Sequence, residues 1–217
     1  MLALVFANGD LNPGPLVDRA LAAADETSLW VAADGGALHA EELGAPLQTV
    51  IGDMDSLSEA DLARLEARGA TLRRYPPAKN ETDLELALLY VVERGAERVV
   101  VIGALGGRLD QTLANVLLLT RPELAGRDIR LVAGQQVAWL LTPGVHPIAG
   151  TPGDTLSLVP LGGDALGVAT DGLEYPLRRE TLAFGPARGV SNVFAASQAS
   201  VRLESGLLLA IHTLGKA

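Results

Sequence analysis

The chain contains no cysteine. That one absence removes disulfides, thiolate nucleophiles and zinc–thiolate centres together. Histidine is nearly as scarce. His39, His146 and His212 are the only three, in no metal-ligand spacing, which excludes a histidine-rich metal centre. Aromatic residues make up 4% of the chain, so an exposed ring stands out as a candidate ligand contact. Basic residues are outnumbered, 17 Lys and Arg against 26 Asp and Glu, for a net charge of −9. A surface of that sign suits neither a nucleic-acid partner nor an anionic membrane. No apolar run reaches the roughly 18 residues that span a bilayer. Residues 1–6 are apolar but lack a basic flank and run straight into Asn8-Gly9-Asp10, a poor leader sequence. The expectation is a cytoplasmic protein with no nucleic-acid or membrane partner.

What is present is a globular composition, 48% hydrophobic and 20% charged over 217 residues, enough for a substantial core. Two rhythms divide it. Through residue 132, short β-branched runs at 2–6, 29–33, 49–51, 71–74, 99–102 and 129–132 alternate with amphipathic stretches at 15–24, 38–43, 59–68, 83–94 and 110–120. The fourth of these helices is the clearest. Leu84, Ala87, Leu88 and Val91 fall on one stripe behind Thr82-Asp83-Leu84-Glu85, which reads as a capping box. Such alternation predicts an α/β domain over 1–132 with a mostly parallel, doubly wound sheet. From 133 to 217 helical periods vanish. Apolar runs at 137–141, 155–159, 167–170, 193–196, 200–203 and 207–211 recur between Gly and Pro turns, predicting a small β-sandwich or jelly-roll. Val201 and Leu203 alternate with polar residues before Ser205-Gly206 and Leu207, a pattern that reads as a hairpin.

The positions of the acids are informative. Asp10 follows the first strand, Asp34 the second, Asp53 and Asp55 the third, Asp83 lies beyond the fourth and Asp110 beyond the fifth. The carboxyl ends of parallel strands form one rim, where ligands bind. Carboxylates gathered there repel one another unless a cation sits among them, and magnesium prefers such hard oxygen ligands while leaving room for phosphates. Asp34-Gly35-Gly36, Gly52-Asp53 and Gly103 to Asp110 place glycines at strand-to-helix turns, where helix N-termini attract anions. Arg108 and Lys79 add positive charge for a polyphosphate. Taken singly, each has a plainer role: Asp83 complements a helix dipole, Asp110 caps, Gly35-Gly36 makes a tight turn, Asp10 shapes one, Arg108 and Lys79 are solvated. The conjunction points to metal–phosphate chemistry. No Walker A or G-x-G-x-x-G sequence accompanies it.

Ala33-Asp34-Gly35-Gly36-Ala37, Gly52-Asp53-Met54-Asp55-Ser56, Thr82-Asp83 and Gly106-Gly107-Arg108-Leu109-Asp110 together resemble the catalytic-domain signatures of the thiamine pyrophosphokinase family. Gly172-Leu173-Glu174-Tyr175-Pro176-Leu177 and Gly189-Val190-Ser191-Asn192 resemble its thiamine-binding domain. The resemblance implies transfer of diphosphate from ATP to the hydroxyethyl group of thiamine, and a homodimer with active sites between subunits. It implies Asp53, Asp55 and Asp83 near Mg2+, with Asp34 and Asp110 supporting nucleotide and metal and Asp110 also in the catalytic group. Asp34, Gly35, Gly36, Lys79, Thr82, Gly106, Gly107 and Arg108 fall to ATP, and Tyr175, Ser191 and Asn192 to thiamine. Glu81, Gln111 and Tyr175 depart from the family's usual residues. A pyrophosphokinase with a pterin-like acceptor, or a non-catalytic binding regulator, is the alternative.

Overall fold

Residues 1–215 are described by the computed structural model, and they divide into a unit over Met1–Gly134 and a second from Gln135 onward. In the first unit the β-branched runs form β1 (Leu2–Phe6), β2 (Leu29–Ala33), β3 (Thr49–Gly52), β4 (Thr71–Arg74), β5 (Arg98–Ile102) and β6 (Asp128–Ala133). Between them lie α1 (Pro15–Ala22), α2 (Gly36–Glu42), α3 (Glu59–Ala67), α4 (Asp83–Glu93) and α5 (Leu109–Leu118). The strands are all parallel, in the order β6-β5-β1-β2-β3-β4. Every residue of β1 is buried, as a central parallel strand covered on both faces requires. The chain walks from β1 to β4 in one direction and then returns beside β1 as β5. That reversal makes a topological switch point where the loops after β1 and β5 meet.

The helices fit the apolar pattern, with instructive exceptions. Leu84, Ala87, Leu88 and Val91 are the buried face of α4. Each buried Leu or Val there contributes about 1.5–3 kcal/mol. Thr82 caps this helix by accepting from the Glu85 amide at 3.2 Å. The expected capping box is not closed, because the Glu85 carboxylate pairs with Arg121 instead. A complete box occurs at α3, between Ser58 and Asp61. On α5 three leucines face outward. Leu109, Leu113 and Leu117 are 73%, 56% and 54% exposed, while Asn115 is buried.

The second unit contains β7 (Gln136–Leu141), β8 (Gly144–Ala149), β9 (Thr155–Pro160), β10 (Ala165–Asp171), β11 (Arg178–Leu182), β12 (Asn192–Val193), β13 (Gln198–Leu203) and β14 (Leu208–Thr213). Within it, β12-β9-β14-β7 and β11-β10-β13-β8 form two antiparallel layers. Leu156, Leu158 and Leu208 from one layer share a core with Val168, Leu182, Val201 and Leu203 from the other, the expected sandwich. The expected hairpin across Ser205-Gly206 does not form. β13 pairs with β8 and β10, whereas β14 pairs with β7 and β9, so the chain changes sheets at that corner. The reason is local: Ser205 bridges to Leu166, and a Cβ on Gly206 would lie 2.5 Å from the Asp164 carbonyl oxygen. A bare α-carbon is what lets the corner cross so closely over the β9–β10 turn.

Candidate active site

The carboxyl rim of the parallel sheet encloses a cavity of about 460 Å³. The loop after β1 contributes Asn8, Gly9 and Asp10, the end of β2 contributes Asp34, and the loop after β3 contributes Asp53 and Asp55. Lys79 and Thr82 come from the β4–α4 connection, Asp83 from the first position of α4, and Gly106, Gly107 and Arg108 from the loop after β5. Glu81 and Gln111 also line it. The loops after β1 and β5 are stitched together by Gly9 N donating to Gly103 O at 2.7 Å and Asp10 N to Leu105 O at 3.0 Å. The two sides of the switch point therefore hold each other in place.

Asp34, Asp53 and Asp83 form the tightest group, with ligand oxygens all within 4.8 Å of one another. Local backbone makes this possible. Asp34 and Met54 adopt left-handed φ values of 46° and 68°, uncommon for residues with a side chain. A Cβ on Gly52 would come within 3.0 Å of the Asp83 carboxyl carbon and 3.1 Å of the Asp34 Cβ, so glycine keeps the space between them open. Asp34 is 5% exposed, and its Oδ1 has no hydrogen-bond partner. Burial raises the pKa of Asp34 above the ordinary aspartate value; a hydrogen bond from Ser56 opposes this, and the neighbouring Asp55 charge adds to it. Burial likewise raises Asp83, against the opposing pull of Lys79. The Lys79 ammonium lies 2.9 Å from Asp83 Oδ1 and 3.9 Å from Asp53 Oδ2. Burial alone would lower the Lys79 pKa, but the bond to Asp83 and the surrounding carboxylates leave it raised.

Asp55 stands outside that trio. It is exposed and accepts from Ser56 Oγ at 3.2 Å, while Ser56 Oγ accepts from Asn8 Nδ2 at 3.1 Å. Asp10 shapes the glycine loop: its Oδ2 accepts from Gly107 N at 3.0 Å, and a Cβ on Gly106 would collide with it at 2.3 Å. Asp110 does not line the cavity. Its carboxylate takes the Arg108 guanidinium in a fork, Nε to Oδ1 at 3.1 Å and Nη2 to Oδ2 at 2.6 Å, and that bond holds Asp110 below the ordinary aspartate pKa. Gly35 and Gly36 also fall outside the cavity wall. Gly36 serves packing, since a Cβ there would lie 2.1 Å from the Phe6 carbonyl oxygen.

In the second unit, Tyr175 and Asn192 are joined. Tyr175 N donates to Asn192 Oδ1 at 3.0 Å, and Asn192 Nδ2 donates to Tyr175 O at 2.7 Å, so the Asn192 amide is spent on the Tyr175 backbone. Tyr175 is 62% exposed. Ser191 has φ 60°, its backbone amide donating to Ser157 Oγ at 3.0 Å.

Three converging carboxylates, one with a buried oxygen lacking any partner, are a hard-oxygen donor set that fits a divalent cation such as Mg2+. With the arginine at the glycine loop, the first unit has the features of an enzyme that handles phosphates at a parallel-sheet rim. Comparison with known proteins gives the particular family. Residues 21–132 match the model "Thiamin pyrophosphokinase, catalytic domain", and 145–208 match "Thiamin pyrophosphokinase, vitamin B1 binding domain". The chain belongs to the thiamine pyrophosphokinase family. Among its relatives is the thiamine pyrophosphokinase of Bacillus subtilis (strain 168), 28% identical over 190 residues that cover 87% of this chain and 89% of the relative. The crystal structure of the Bacillus subtilis protein superposes with a TM-score of 0.88 at 27% identity, covering 99% of each chain. That of a thiamin pyrophosphokinase family protein from Enterococcus faecalis has a TM-score of 0.85 at 30% identity, again covering 99% of each. Among the described residues, no helix is long and apolar enough to cross a membrane.

Proposed function

We propose that the protein transfers the terminal diphosphate of ATP to the hydroxyethyl oxygen of thiamine, giving thiamine diphosphate and AMP. The observation that carries this reading is the trio of buried Asp34 and half-buried Asp53 and Asp83, with the unpartnered oxygen of Asp34, inside the segment matched by the catalytic-domain model. The trio differs from the expected arrangement by bringing Asp34 from a supporting place into the closest group and leaving Asp55 at the margin. Asp34, Asp53 and Asp83 would hold Mg2+, which when bound supplies neutralisation of charge on the phosphate oxygens.

The remaining work falls to the chain. Arg108 offers a planar fork to phosphate oxygens when it exchanges its Asp110 partner for them. Asp110 acts through Arg108, holding the guanidinium ready at the mouth of the site. Gly106 N donates to Thr112 Oγ1 and Gly107 N to Asp10, so the glycine loop gives shape to the phosphate path while its own amides are occupied. A loose transition state at the β-phosphorus needs little early deprotonation of the attacking hydroxyl, so positioning does most of the catalysis. The exposed Tyr175 ring offers its face to the cationic thiazolium by cation–π attraction. Ser191 offers its hydroxyl to the aminopyrimidine, and Asn192 keeps Tyr175 in place.

The outward stripe Leu109, Leu113 and Leu117, beginning directly after Arg108, supports the homodimer in this reading. A cytoplasmic setting, where ATP and magnesium are both available, completes it. Incubation with ATP, Mg2+ and thiamine tests the reaction. Thiamine diphosphate and AMP should accumulate one for one; ADP with thiamine monophosphate would overturn the reading.

A further inference from the structure

We infer that Lys79 is the site's built-in counter-ion: in the metal-free protein its ammonium stands in for the cation among Asp34, Asp53 and Asp83, and a divalent cation enters by displacing it. The inference rests on the cation reading of the trio given above. Lys79 Nζ sits 2.9 Å from Asp83 and 3.9 Å from Asp53, with its side chain only 12% exposed. The third carboxylate, Asp34, is 5% exposed and leaves Oδ1 unpartnered within 4.8 Å of the other two. Lys79 thus compensates two of the three acids, and Asp34 Oδ1 has no hydrogen-bond partner. Partly buried carboxylates so close together are costly to keep charged without a compensating cation nearby.

The choice of residue is itself informative. The chain contains fifteen arginines and two lysines, Lys79 and Lys216. The other acid–side-chain ion pairs among the described residues use arginine, apart from one made by His212. At this position, in a cluster of three acids, the chain uses lysine rather than arginine. A guanidinium fork locks onto carboxylate oxygens in a fixed plane, whereas an ammonium is a compact point charge on a flexible stem. It is the side chain closest to a monatomic cation, and it can withdraw. When cation and polyphosphate arrive together, the released ammonium gains phosphate oxygens as new partners. Lys79 would then couple the two: the cation binds weakly without phosphate and strongly with it.

Titration of the nucleotide-free protein with Mn2+, followed by electron paramagnetic resonance, tests this directly. Lys79→Met should bind Mn2+ about tenfold or more tighter than wild type, because its competitor is gone. Equal or weaker binding by Lys79→Met, with wild type binding normally, would overturn the counter-ion role and leave the cation reading standing. Failure of both proteins to bind Mn2+ would overturn both. Wild-type protein gives a measurement that needs no variant. Acylation of Lys79, read by mass spectrometry as a ratio to Lys216, should rise when Mn2+ is added. A constant or falling ratio would overturn the displacement.

Discussion

Each unit contains a deeply buried aspartate, and the two are treated in opposite ways. Asp154, 5% exposed in the second unit, has its oxygens occupied: Oδ2 by His212 Nε2 at 2.8 Å and by Thr151 N at 2.9 Å, Oδ1 by Gly215 N at 2.8 Å. Burial would raise its pKa, but the Gly215 amide, His212 and the Thr151 amide together lower it below the ordinary aspartate value. Asp34, also 5% exposed, keeps an oxygen with no partner and has its pKa raised. A buried charge that is fully satisfied belongs to the architecture. One left unsatisfied in a cavity beside two further acids marks a candidate ligand site. Burial does not separate the two roles; hydrogen-bond completeness does.

Substitutions can break or sharpen that contrast. The largest effect is expected at the trio. Asp53→Asn should lower the rate of AMP formation by about a hundred- to a thousandfold with the fold retained, the scale of losing one electrostatic contact to a transition state. Near-normal turnover would remove Asp53 from the site. Asp154→Ala should do the reverse. It leaves His212 and two backbone amides without their acceptor, at a cost of about 2–4 kcal/mol in chemical denaturation, while turnover per folded molecule stays at the wild-type level.

Acid should reproduce part of that second loss. A carboxyl with a lowered native pKa stabilises the fold above the ordinary aspartate value, and that stabilisation disappears as pH falls through the native value. A wild-type acid-unfolding curve that Asp154→Asn leaves unchanged would contradict it. The smallest effect is expected at Tyr175. Tyr175→Ala should raise the thiamine KM several-fold, about 1 kcal/mol for a lost cation–π contact, and leave the ATP KM nearly unchanged. The opposite split would place the ring outside the acceptor site.

Much of the first unit was legible because its signals are local. The burial of β1, the stripe of α4 and the placing of acids after successive strands all follow from neighbouring residues. The sandwich was harder. The two strands with no expected run, β8 and β11, are both edge strands of the same layer. β8 carries Pro147, and β11 reads Arg-Arg-Glu-Thr-Leu with mostly exposed residues. Proline and charge on an edge discourage further strand pairing and also erase the alternation by which a strand is recognised. The false hairpin at Ser205-Gly206 has a related cause, because a sheet-changing corner uses the same turn residues as a hairpin.

The site shows the same division. Spacing indicated which acids lie on the rim, but Asp34 joined the trio and Asp55 did not because of left-handed backbone at Asp34 and Met54. Asp110 and Arg108 are two residues apart and bind each other, which spacing alone does not distinguish from shared contact with a ligand. Asn192 offered a polar group to a ligand in the sequence, yet its amide is consumed by Tyr175 across 17 residues of chain.

The most direct test is the thermal midpoint of wild type and Asp34→Asn, each measured in chelator and in excess magnesium. Wild type should rise on adding magnesium; Asp34→Asn should start higher in chelator, relieved of its unpaired buried charge, and rise little or not at all. Equal magnesium-dependent rises in both proteins would contradict a cation held by Asp34.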